Sequence, residues 1–272
     1  MNIKKIKKFN GKTDIANSII VGDCFVEMKK IKDEIFDMVF ADPPYNMQLQ
    51  NELYRPNKTK VDAVDDAWDQ FDSFDAYDKF TKKWLMEVKR LMKKNATIWV
   101  IGSYHNIFRV GNIMQDLGFW ILNDVHWIKS NPMPNFKGVR FTNATETLIW
   151  AVKDKKVKNY TFNYEEMKKY NRNKQMRNDW YFGICNGSER LRDNNGQKIH
   201  STQKPLPLLE RVILASTKES DLVFDPFAGT CTTAVAAYRH QRKFTMIEKE
   251  EFYIDWALKR FNKNFQTPLF KN

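Results

Sequence analysis

A buried strand that stops at two consecutive prolines constrains this chain more than any other feature. Residues 37–45 read DMVFADPPY, and the apolar run 38–41 is typical of a strand covered on both faces. Asp42 therefore lies at the carboxyl end of a strand. Pro43 and Pro44 cannot continue the hydrogen-bonding ladder, so they hold the next backbone extended and leave the Pro43 carbonyl without a partner. The segment predicts a buried α/β sheet with polar groups at its edge.

The same turn carries groups that suit the amine of a planar base. Asp42 and the Pro43 carbonyl can accept the two N–H hydrogens of an exocyclic amine, while Tyr45 stacks on the ring. The alternative is a proline-stiffened turn that binds nothing, and a four-residue match taken alone favours that alternative. Other segments of the chain are needed to distinguish these two interpretations.

A second carboxylate follows another predicted strand. Residues 19–21 are apolar and lead into Asp23 and Cys24, and residues 25–31 are predicted to form a helix that leads to the strand of Asp42. Such a unit is a parallel crossover, which predicts that Asp23 ends a neighbouring strand, on the same ligand-binding edge as Asp42. A turn aspartate beside a buried cysteine is an equally consistent interpretation.

Composition favours a polyanionic partner. The 272 residues include 45 Lys and Arg against 33 Asp and Glu, a formal net charge of +12, and 14% aromatic residues add stacking capacity. Cys24, Cys185 and Cys231 are too scattered for a zinc site or a disulfide framework, so we expect no metal and a reducing compartment. The sequence has no apolar run of membrane-spanning length and no apolar segment of a secretory signal, which predicts a cytoplasmic protein.

Three stretches have the composition expected of a DNA-facing surface. Residues 46–70 lack a regular period, and we expect them to form a lid beside the site. Residues 130–143 form a proline-rich loop with a stacking ring and two cations. Residues 153–200 form a basic, aromatic and irregular insert, in which 153–192 holds 11 Lys or Arg against 5 Asp or Glu. The candidate contacts from these patterns are Arg55, Phe136, Lys137, Arg140 and Trp180. An ordinary solvated surface is the alternative for each single charge.

The C-terminal part of the chain predicts a nucleoside site. A predicted strand gives way to DPFAGTCTT at residues 225–233, where a stiffened turn, Gly229 and a helix N-terminus bring backbone N–H groups close to a ligand. Glu248 ends the next predicted strand 19 positions after Gly229, near the spacing of about 20 residues at which a carboxylate binds ribose hydroxyls. Dinucleotide folds have three glycines in this turn, so a nucleoside with a smaller charged tail fits better than a nicotinamide cofactor.

Methyl transfer from S-adenosylmethionine is the chemistry that joins an adenosine-bearing cofactor to a base amine. The chain resembles the β-class amino-methyltransferases of DNA, and most closely the GANTC-specific adenine methyltransferases of the cell-cycle-regulated type. The matching segments run almost from end to end: FADPPYNMQL, VDAVDDAWD, IWVIGSYHNIFRVG, LGFWILNDVHWIKSNPMPNF, FTNATETLIWA, YTFNYEEMK, QMRNDW, STQKPLPLL and DPFAG. The resemblance implies a single α/β, Rossmann-like methyltransferase domain over residues 1–272. Its central sheet would be mostly parallel and its motif order circularly permuted, with DPPY before the cofactor motif.

The resemblance also implies roles for particular residues. Asp42, the Pro43 carbonyl and Tyr45 would be catalytic and hold a flipped adenine with its N6 aimed at the methyl group. The residues implied in cofactor binding are Asp23, Cys24, Asp42, Lys204, Pro205, Asp225, Phe227, Gly229 and Glu248. The residues implied in holding and reading DNA are Asn135, Phe136 and Arg140 in the proline-rich loop, with Arg177, Trp180 and Arg190 in the insert. DNA would be bound as a duplex or locally opened, in the bacterial cytoplasm beside the nucleoid, and a homodimer is one arrangement consistent with the family.

The chain departs from the family pattern in three places. Cys231 stands where the cofactor motif usually has its second glycine, and Ser201 where proline is usual. We expect Cys231 to avoid a clash by adopting a negative φ in the first turn of a helix. The cell-cycle-regulated type has an additional C-terminal segment that is missing after Asn272, so we expect duplex binding to be weaker or to depend on a dimer partner.

Three other functions remain consistent with parts of the sequence. The same fold could methylate N4 of cytosine, whose amine satisfies the same acceptors. A DNA-binding relative without catalysis is a second alternative, suggested by Cys231 and the missing segment. The third is an RNA or protein-glutamine methyltransferase, whose motif normally has asparagine in place of Asp42 and whose motifs run in the opposite order.

Overall fold

The computed structural model describes residues 3–47, 69–135 and 138–265, which form one sheet of nine strands with helices packed against both faces. The strands are β1 (Lys4–Ile6), β2 (Ser18–Val21), β3 (Phe36–Ala41), β4 (Met92–Gly102), β5 (Trp120–Lys129), β6 (Thr145–Val152), β7 (Asp179–Phe182), β8 (Leu222–Asp225) and β9 (Lys243–Glu248). The helices are α1 (Cys24–Met28), α2 (Phe74–Leu91), α3 (Ile107–Asp116), α4 (Tyr164–Lys169), α5 (Leu206–Ser216), α6 (Thr232–Arg239) and α7 (Glu251–Phe265).

The sheet is mostly parallel. Its strand order is β1-β2-β9-β8-β3-β4-β6-β5-β7, and only β6 runs antiparallel to its neighbours, β4 and β5. The predicted α/β, Rossmann-like fold is therefore confirmed. The strand that precedes DPPY comes early in the chain and pairs directly with β8, which precedes DPFAG, as the permuted motif order requires.

The centre of the sheet brings the two predicted half-sites together. Residues Met38 and Val39 of β3 pair with Val223 and Phe224 of β8, and all four are fully buried. Each such side chain contributes about 1.5–3 kcal/mol by leaving water. Because β3, β8 and β9 are parallel, the residues at their carboxyl ends meet at one edge of the sheet.

Asp23 reaches the same edge by a different route from the one predicted. It follows β2, which pairs with β9 and is separated from β3 by both β9 and β8. The predicted adjacency of the strands before Asp23 and Asp42 is therefore wrong, because the crossover skips two positions that later strands fill. The helix after Asp23 is also shorter than predicted and ends at Met28.

Helix α2 covers the sheet beside this edge. It begins after Ser73, whose Oγ caps the helix by accepting a hydrogen bond from Ala76 N at 3.1 Å. Its buried stripe includes Trp84, Leu85 and Val88, all 0% exposed. This stripe is part of the core.

The basic insert is more regular than predicted. It contains α4 and β7, and β7 extends the sheet by pairing in parallel with β5. These elements were missed because six and four residues are too short to show a period. Among the described residues, no helix is both long and apolar enough to cross a membrane.

Candidate active site

The strand of DPPY ends with two hydrogen-bond acceptors for which the described residues supply no donor. Asp42 follows β3, and its Oδ1 is buried without a hydrogen-bond partner among the described residues. The Pro43 carbonyl also receives no hydrogen bond from the described part of the chain, as predicted from the two prolines. A buried acceptor without a donor is rare and costly, so Asp42 Oδ1 indicates a position at which a ligand supplies an N–H group, and Pro43 lines the same cavity.

A buried carboxylate holds the backbone that follows the prolines. Asp69, 3% exposed, accepts hydrogen bonds from the backbone N–H groups of three consecutive residues: Tyr45, Asn46 at 2.9 Å and Met47 at 2.9 Å. The Tyr77 hydroxyl donates to the Pro44 carbonyl at 2.9 Å. These contacts fix the path of the turn, and no sequence pattern predicts either of them.

Tyr45 is held at both ends of its side chain. Its hydroxyl donates to Glu146 Oε2 at 3.0 Å, and Glu146 forms an ion pair of 2.8 Å with Lys129. The Lys204 ammonium lies 5.1 Å from the centre of the Tyr45 ring, and Tyr45 is 7% exposed. In this arrangement the ring lies inside the site, so stacking on a base requires the Tyr45 side chain to move.

Lys204 forms an ion pair with Asp42. The distance from Lys204 Nζ to Asp42 Oδ2 is 2.7 Å, and the side chains are 8% and 18% exposed. Burial raises the pKa of Asp42, and the charge of Lys204 opposes that effect. For Lys204, burial favours the neutral form, but the charges of Asp42 and Glu146 outweigh it and leave the pKa raised. Lys204 therefore contacts the carboxylate predicted to be catalytic as well as lying in the predicted cofactor site.

The DPFAG turn is built around Asp225. Its Oδ1 accepts from Phe227 N at 2.9 Å and its Oδ2 from the Thr233 hydroxyl at 2.6 Å, which ties the turn to α6. Burial raises the pKa of Asp225 to about 7, against these two hydrogen bonds. The Phe227 ring packs edge-on against Trp84 at 5.4 Å. Both residues thus support the turn from its protein side.

Glu248 also supports this turn. Its Oε2 accepts from Gly229 N at 2.7 Å and its Oε1 from Glu250 N at 2.8 Å. Burial raises the pKa of Glu248. Each carboxylate oxygen keeps a second lone pair, so these bonds leave room for the hydroxyls of a ribose.

Cys231 has a left-handed backbone, contrary to the prediction. Its φ is +56° and its side chain is 0% exposed at the N-cap of α6. The expected negative φ is wrong, because the turn keeps the conformation that the family's usual glycine adopts without strain. Gly229 has a φ of +50°, and a Cβ there would lie 3.1 Å from His200 Nε2. The positive φ values at Gly229 and Cys231 turn the backbone from the DPFAG segment into α6.

Asp23 and Cys24 follow β2 at the same edge of the sheet. Asp23 caps α1, with Oδ1 accepting from Phe25 N at 2.9 Å and Val26 N at 3.2 Å, so the turn-aspartate interpretation holds as well. Burial raises the pKa of Cys24 to about 12, and that thiol stays protonated at neutral pH. Pro205 begins α5.

A single cavity of about 370 Å³ joins these groups. It is lined by residues of both half-sites, among them Asp23, Cys24, Asp42, Pro43, Tyr45, Lys204, Asp225, Phe227, Gly229 and Glu248. Of the residues predicted for catalysis and cofactor binding, only Pro205 is outside this lining. Within the described ranges, no group of three or more His, Cys, Asp and Glu residues is placed to hold a metal ion.

The predicted DNA contacts divide into several groups. Arg55, Phe136 and Lys137, with most of the stretch 46–70, lie outside the described residues. Asn135 turns the proline-rich loop, with its Oδ1 accepting from Val139 N at 3.3 Å. Arg140 is exposed and donates to the Tyr104 hydroxyl at 3.0 Å. Because Tyr104 follows β4, this contact places Arg140 at the site edge of the sheet.

Of the predicted contacts in the insert, one is a core residue and two are already paired within the protein. Trp180 is 3% exposed, and its ring lies 5.7 Å from that of Trp99, so it is a core residue. Arg190 donates to the carbonyls of Cys185, His200 and Ser201, which makes it a brace between the insert and the loop before α5. Arg177 is exposed but forms a two-point ion pair with Asp179.

Comparisons with known proteins agree with this geometry. The profile of the N6/N4 methyltransferase family, a family of DNA methylases, matches residues 36–259. The chain is 51% identical over 255 residues to the Type II methyltransferase M.HinfI of Haemophilus influenzae, covering 94% of this chain and 71% of that protein. It is 43% identical over 249 residues to the Type II methyltransferase M2.LlaDCHI of Lactococcus lactis subsp. cremoris, covering 91% and 90%.

Solved structures agree as well. The crystal structure of the M1.HpyAVI–SAM complex superposes with a TM-score of 0.65 at 26% identity, covering 90% of this chain and 98% of that one. The PvuII DNA methyltransferase, described as cytosine-N4-specific, superposes with a TM-score of 0.69 at 18% identity, covering 94% and 88%. At that identity, the second likeness shows the fold alone.

The residues in the cavity fit S-adenosylmethionine. Asp23, Asp42 and Glu248 place carboxylates around a space that also has apolar walls at Phe227 and Ile247, which suits a nucleoside joined to a sulfonium cation. With fold, cavity and relatives in agreement, the chain belongs to the N6/N4 DNA methylase family of S-adenosylmethionine-dependent methyltransferases.

Proposed function

We propose that the protein methylates N6 of adenine in DNA, at GANTC sites. The observation that carries the proposal is the pair of adjacent acceptors without donors, Asp42 Oδ1 and the Pro43 carbonyl, in the wall of the cofactor cavity. An exocyclic amine has two N–H hydrogens and would satisfy both. The GANTC target rests on the resemblance to the cell-cycle-regulated type.

Asp42 and Pro43 would activate the amine by accepting its hydrogens. An amine whose hydrogens are held out of the ring plane conjugates less with the ring, so its lone pair is available to attack. An ionised Asp42 also stabilises the positive charge that develops on nitrogen during the attack. S-adenosylmethionine, when bound, supplies the electrophilic methyl group. The chain needs no covalent intermediate of its own for such a displacement.

A base can reach Asp42 only after a side chain moves. Asp42 Oδ1 has no exposed surface, and the side chains that interact with Asp42 include Tyr45 and Lys204. If the Tyr45 ring turns outward, it uncovers the carboxylate and becomes available to stack on the base. This movement would break the hydrogen bond from Tyr45 to Glu146.

DNA would lie across the carboxyl edge of the sheet. The formal net charge of +12 favours a polyanion, and exposed groups flank the edge. Phe108 is 76% exposed in the first turn of α3, Phe141 is 98% exposed in the proline-rich loop, and Arg140 bridges to Tyr104 between them. Such rings can stack on opened bases while the cation contacts phosphate. Such a protein would act in the bacterial cytoplasm, beside the nucleoid.

Methylation of N4 of cytosine is the second candidate. A cytosine amine satisfies the same two acceptors, and the family includes enzymes of both kinds. The two candidates differ in the size of the base that must enter beside Tyr45. A product analysis therefore distinguishes them directly.

The test is transfer of labelled methyl from S-adenosylmethionine to matched oligonucleotides. One duplex contains GANTC, and a second has its target adenine replaced. Each is also tested as separate single strands. The assays are repeated over a dilution series of the protein that would dissociate a dimer. We expect N6-methyladenine in the GANTC duplex alone. Label in N4-methylcytosine would establish the second candidate, and DNA binding without transfer to any strand would establish an inactive relative.

A matched variant tests the role of Asp42. Asp42→Ala should abolish transfer while S-adenosylmethionine still binds, because the cofactor turn is held by Asp225 and Glu248. Near-normal turnover in this variant would refute the assignment of Asp42 as the amine acceptor.

A further inference from the structure

The charge on Asp42 is maintained by one buried cation. Lys204 Nζ lies 2.7 Å from Asp42 Oδ2, and its side chain is 8% exposed. The remaining hydrogen bond of Lys204 goes to the Thr202 carbonyl at 3.4 Å. Lys204 thus occupies one oxygen of Asp42 and leaves Oδ1 for a substrate.

The other charged groups around Asp42 would all favour its protonation. Glu146 and Asp225 are carboxylates that interact with it electrostatically. The Tyr45 hydroxyl, which donates to Glu146, is an uncharged group whose interaction with Asp42 lowers the pKa of that carboxyl. On the side of Lys204 the neighbours are Arg190 and His200. Burial, with help from the charges of Lys204 and Arg190, lowers the pKa of His200 to about 4, so this ring is neutral at working pH. Within the described part of the chain, Lys204 is therefore the cation that offsets the burial of Asp42.

We propose that Lys204 is a positioning residue for catalysis, which keeps Asp42 ionised and turned so that Oδ1 accepts the amine hydrogen. The proposal rests on the proposed function and adds to it. A protonated Asp42 would present an O–H donor to the amine and could not stabilise the positive nitrogen. Lys204 thereby acts on the base through Asp42, in addition to any contact with the cofactor.

The sign of the pH effect follows from this pairing. The active form has Asp42 ionised, so the rate falls as pH drops through the pKa of Asp42. Removing an opposite charge within about 4 Å raises such a pKa by roughly 1 to 3 pH units. Lys204→Met should therefore move the acid limb of the pH–rate profile to higher pH by that amount. At pH values below the limb, the rate should be roughly 10- to 1,000-fold lower than in the wild type.

The experiment measures single-turnover methyl transfer from pH 5.5 to 9.5 with saturating cofactor and DNA. Lys204→Met is compared with Lys204→Arg, which restores the charge and should return the limb towards its original position. The matched control is Lys93→Met, since Lys93 forms a similar ion pair of 2.7 Å with Asp37 at the opposite end of β3. Asp225, whose pKa burial raises to about 7, also titrates within the measured pH range, and its pKa depends in part on the charge of Asp42. The comparison is therefore repeated in an Asp225→Asn background.

The outcomes separate the possible roles of Lys204. An upward shift of the limb in Lys204→Met, with recovery at high pH and a nearly unchanged dissociation constant for S-adenosylmethionine, supports the proposal. An equal loss of rate at every pH, or weaker cofactor binding with an unmoved limb, overturns it. If circular dichroism shows that Lys204→Met is unfolded, the test rests on Lys204→Arg. An acid limb at the wild-type pH in that variant supports the proposal, and a displaced acid limb overturns it. Absence of transfer by the unmodified protein would instead refute the proposed function.

Discussion

Replacing Asp69 by asparagine should loosen the turn that carries Tyr45. The carboxylate accepts from three backbone N–H groups and is 3% exposed. Asparagine keeps the volume but has a single acceptor oxygen, and its NH₂ group would face a backbone N–H. Hydrogen bonds to a charged acceptor contribute about 1.5–3 kcal/mol each. We therefore expect the turn to lose about 2–4 kcal/mol against local opening, since the neutral oxygen retains part of the interaction.

Hydrogen exchange of the three amides measures this loss directly. At about 1.4 kcal/mol per factor of ten, exchange at Tyr45, Asn46 and Met47 should accelerate roughly 30- to 1,000-fold in Asp69→Asn. Methyl transfer should slow as well, because the catalytic turn is no longer held. Asp72→Asn, a substitution of an exposed residue three positions away, is the control and should change neither quantity. Unchanged exchange at these amides in Asp69→Asn would show that the carboxylate does not hold the turn.

Three further predictions test the assignments of single residues. Trp180→Ala should lower the free energy of unfolding, measured by urea denaturation, by about 3–5 kcal/mol. Tyr181, its neighbour, is 64% exposed, so Tyr181→Ala should lower it by less than about 1 kcal/mol. Equal losses in the two variants would argue against Trp180 as a core residue. Cys231→Gly should be more stable than Cys231→Ala by about 1 kcal/mol, because glycine relieves the φ of +56°; the reverse order in the same assay would mean that the strain is absent. Burial raises the pKa of Asp225 from 3.8 to about 7, so the folded state holds a proton that the unfolded state has released, and stability falls as pH rises between these values. The stability of the wild type relative to Asp225→Asn should fall by about 4 kcal/mol from pH 4 to pH 8, and a flat difference would contradict the shifted pKa.

The meeting of the two half-sites could be predicted from the sequence. DPPY and DPFAG each follow a short apolar run, and parallel strands place such ends at one edge whatever their order in the chain. The composition of the two turns then indicates what each can bind. The neighbour relations were less predictable, because the pairing of β2 with β9 depends on a strand more than 200 residues later.

The supports of the site could not be predicted. Asp69 belongs to the acidic stretch DAVDDAWDQ, and no local pattern marks which of its aspartates folds back onto residues 45–47. Glu146 lies 101 residues from Tyr45, and such a contact has no signature in spacing. In the strand DWYF, burial alternates between buried Trp180 and exposed Tyr181. A strand of four residues is too short for this period to be detected in a basic and aromatic sequence.

Asp42, Asp225 and Glu248 are three of the carboxylates at the sheet edge, and they differ in what donates to them. Asp225 accepts from the backbone N–H of Phe227 and from the Thr233 hydroxyl, and Glu248 accepts from two backbone N–H groups. The positions of both carboxyl groups therefore follow the loops that they hold. Asp42 instead accepts from a side-chain ammonium and keeps one oxygen without a donor. A buried acceptor left in this state costs about 1–3 kcal/mol, a cost that a purely structural carboxylate has no reason to retain. The cost is removed when a ligand brings an N–H group, so Asp42 is the one of these three carboxylates that we propose to bind the amine of the substrate.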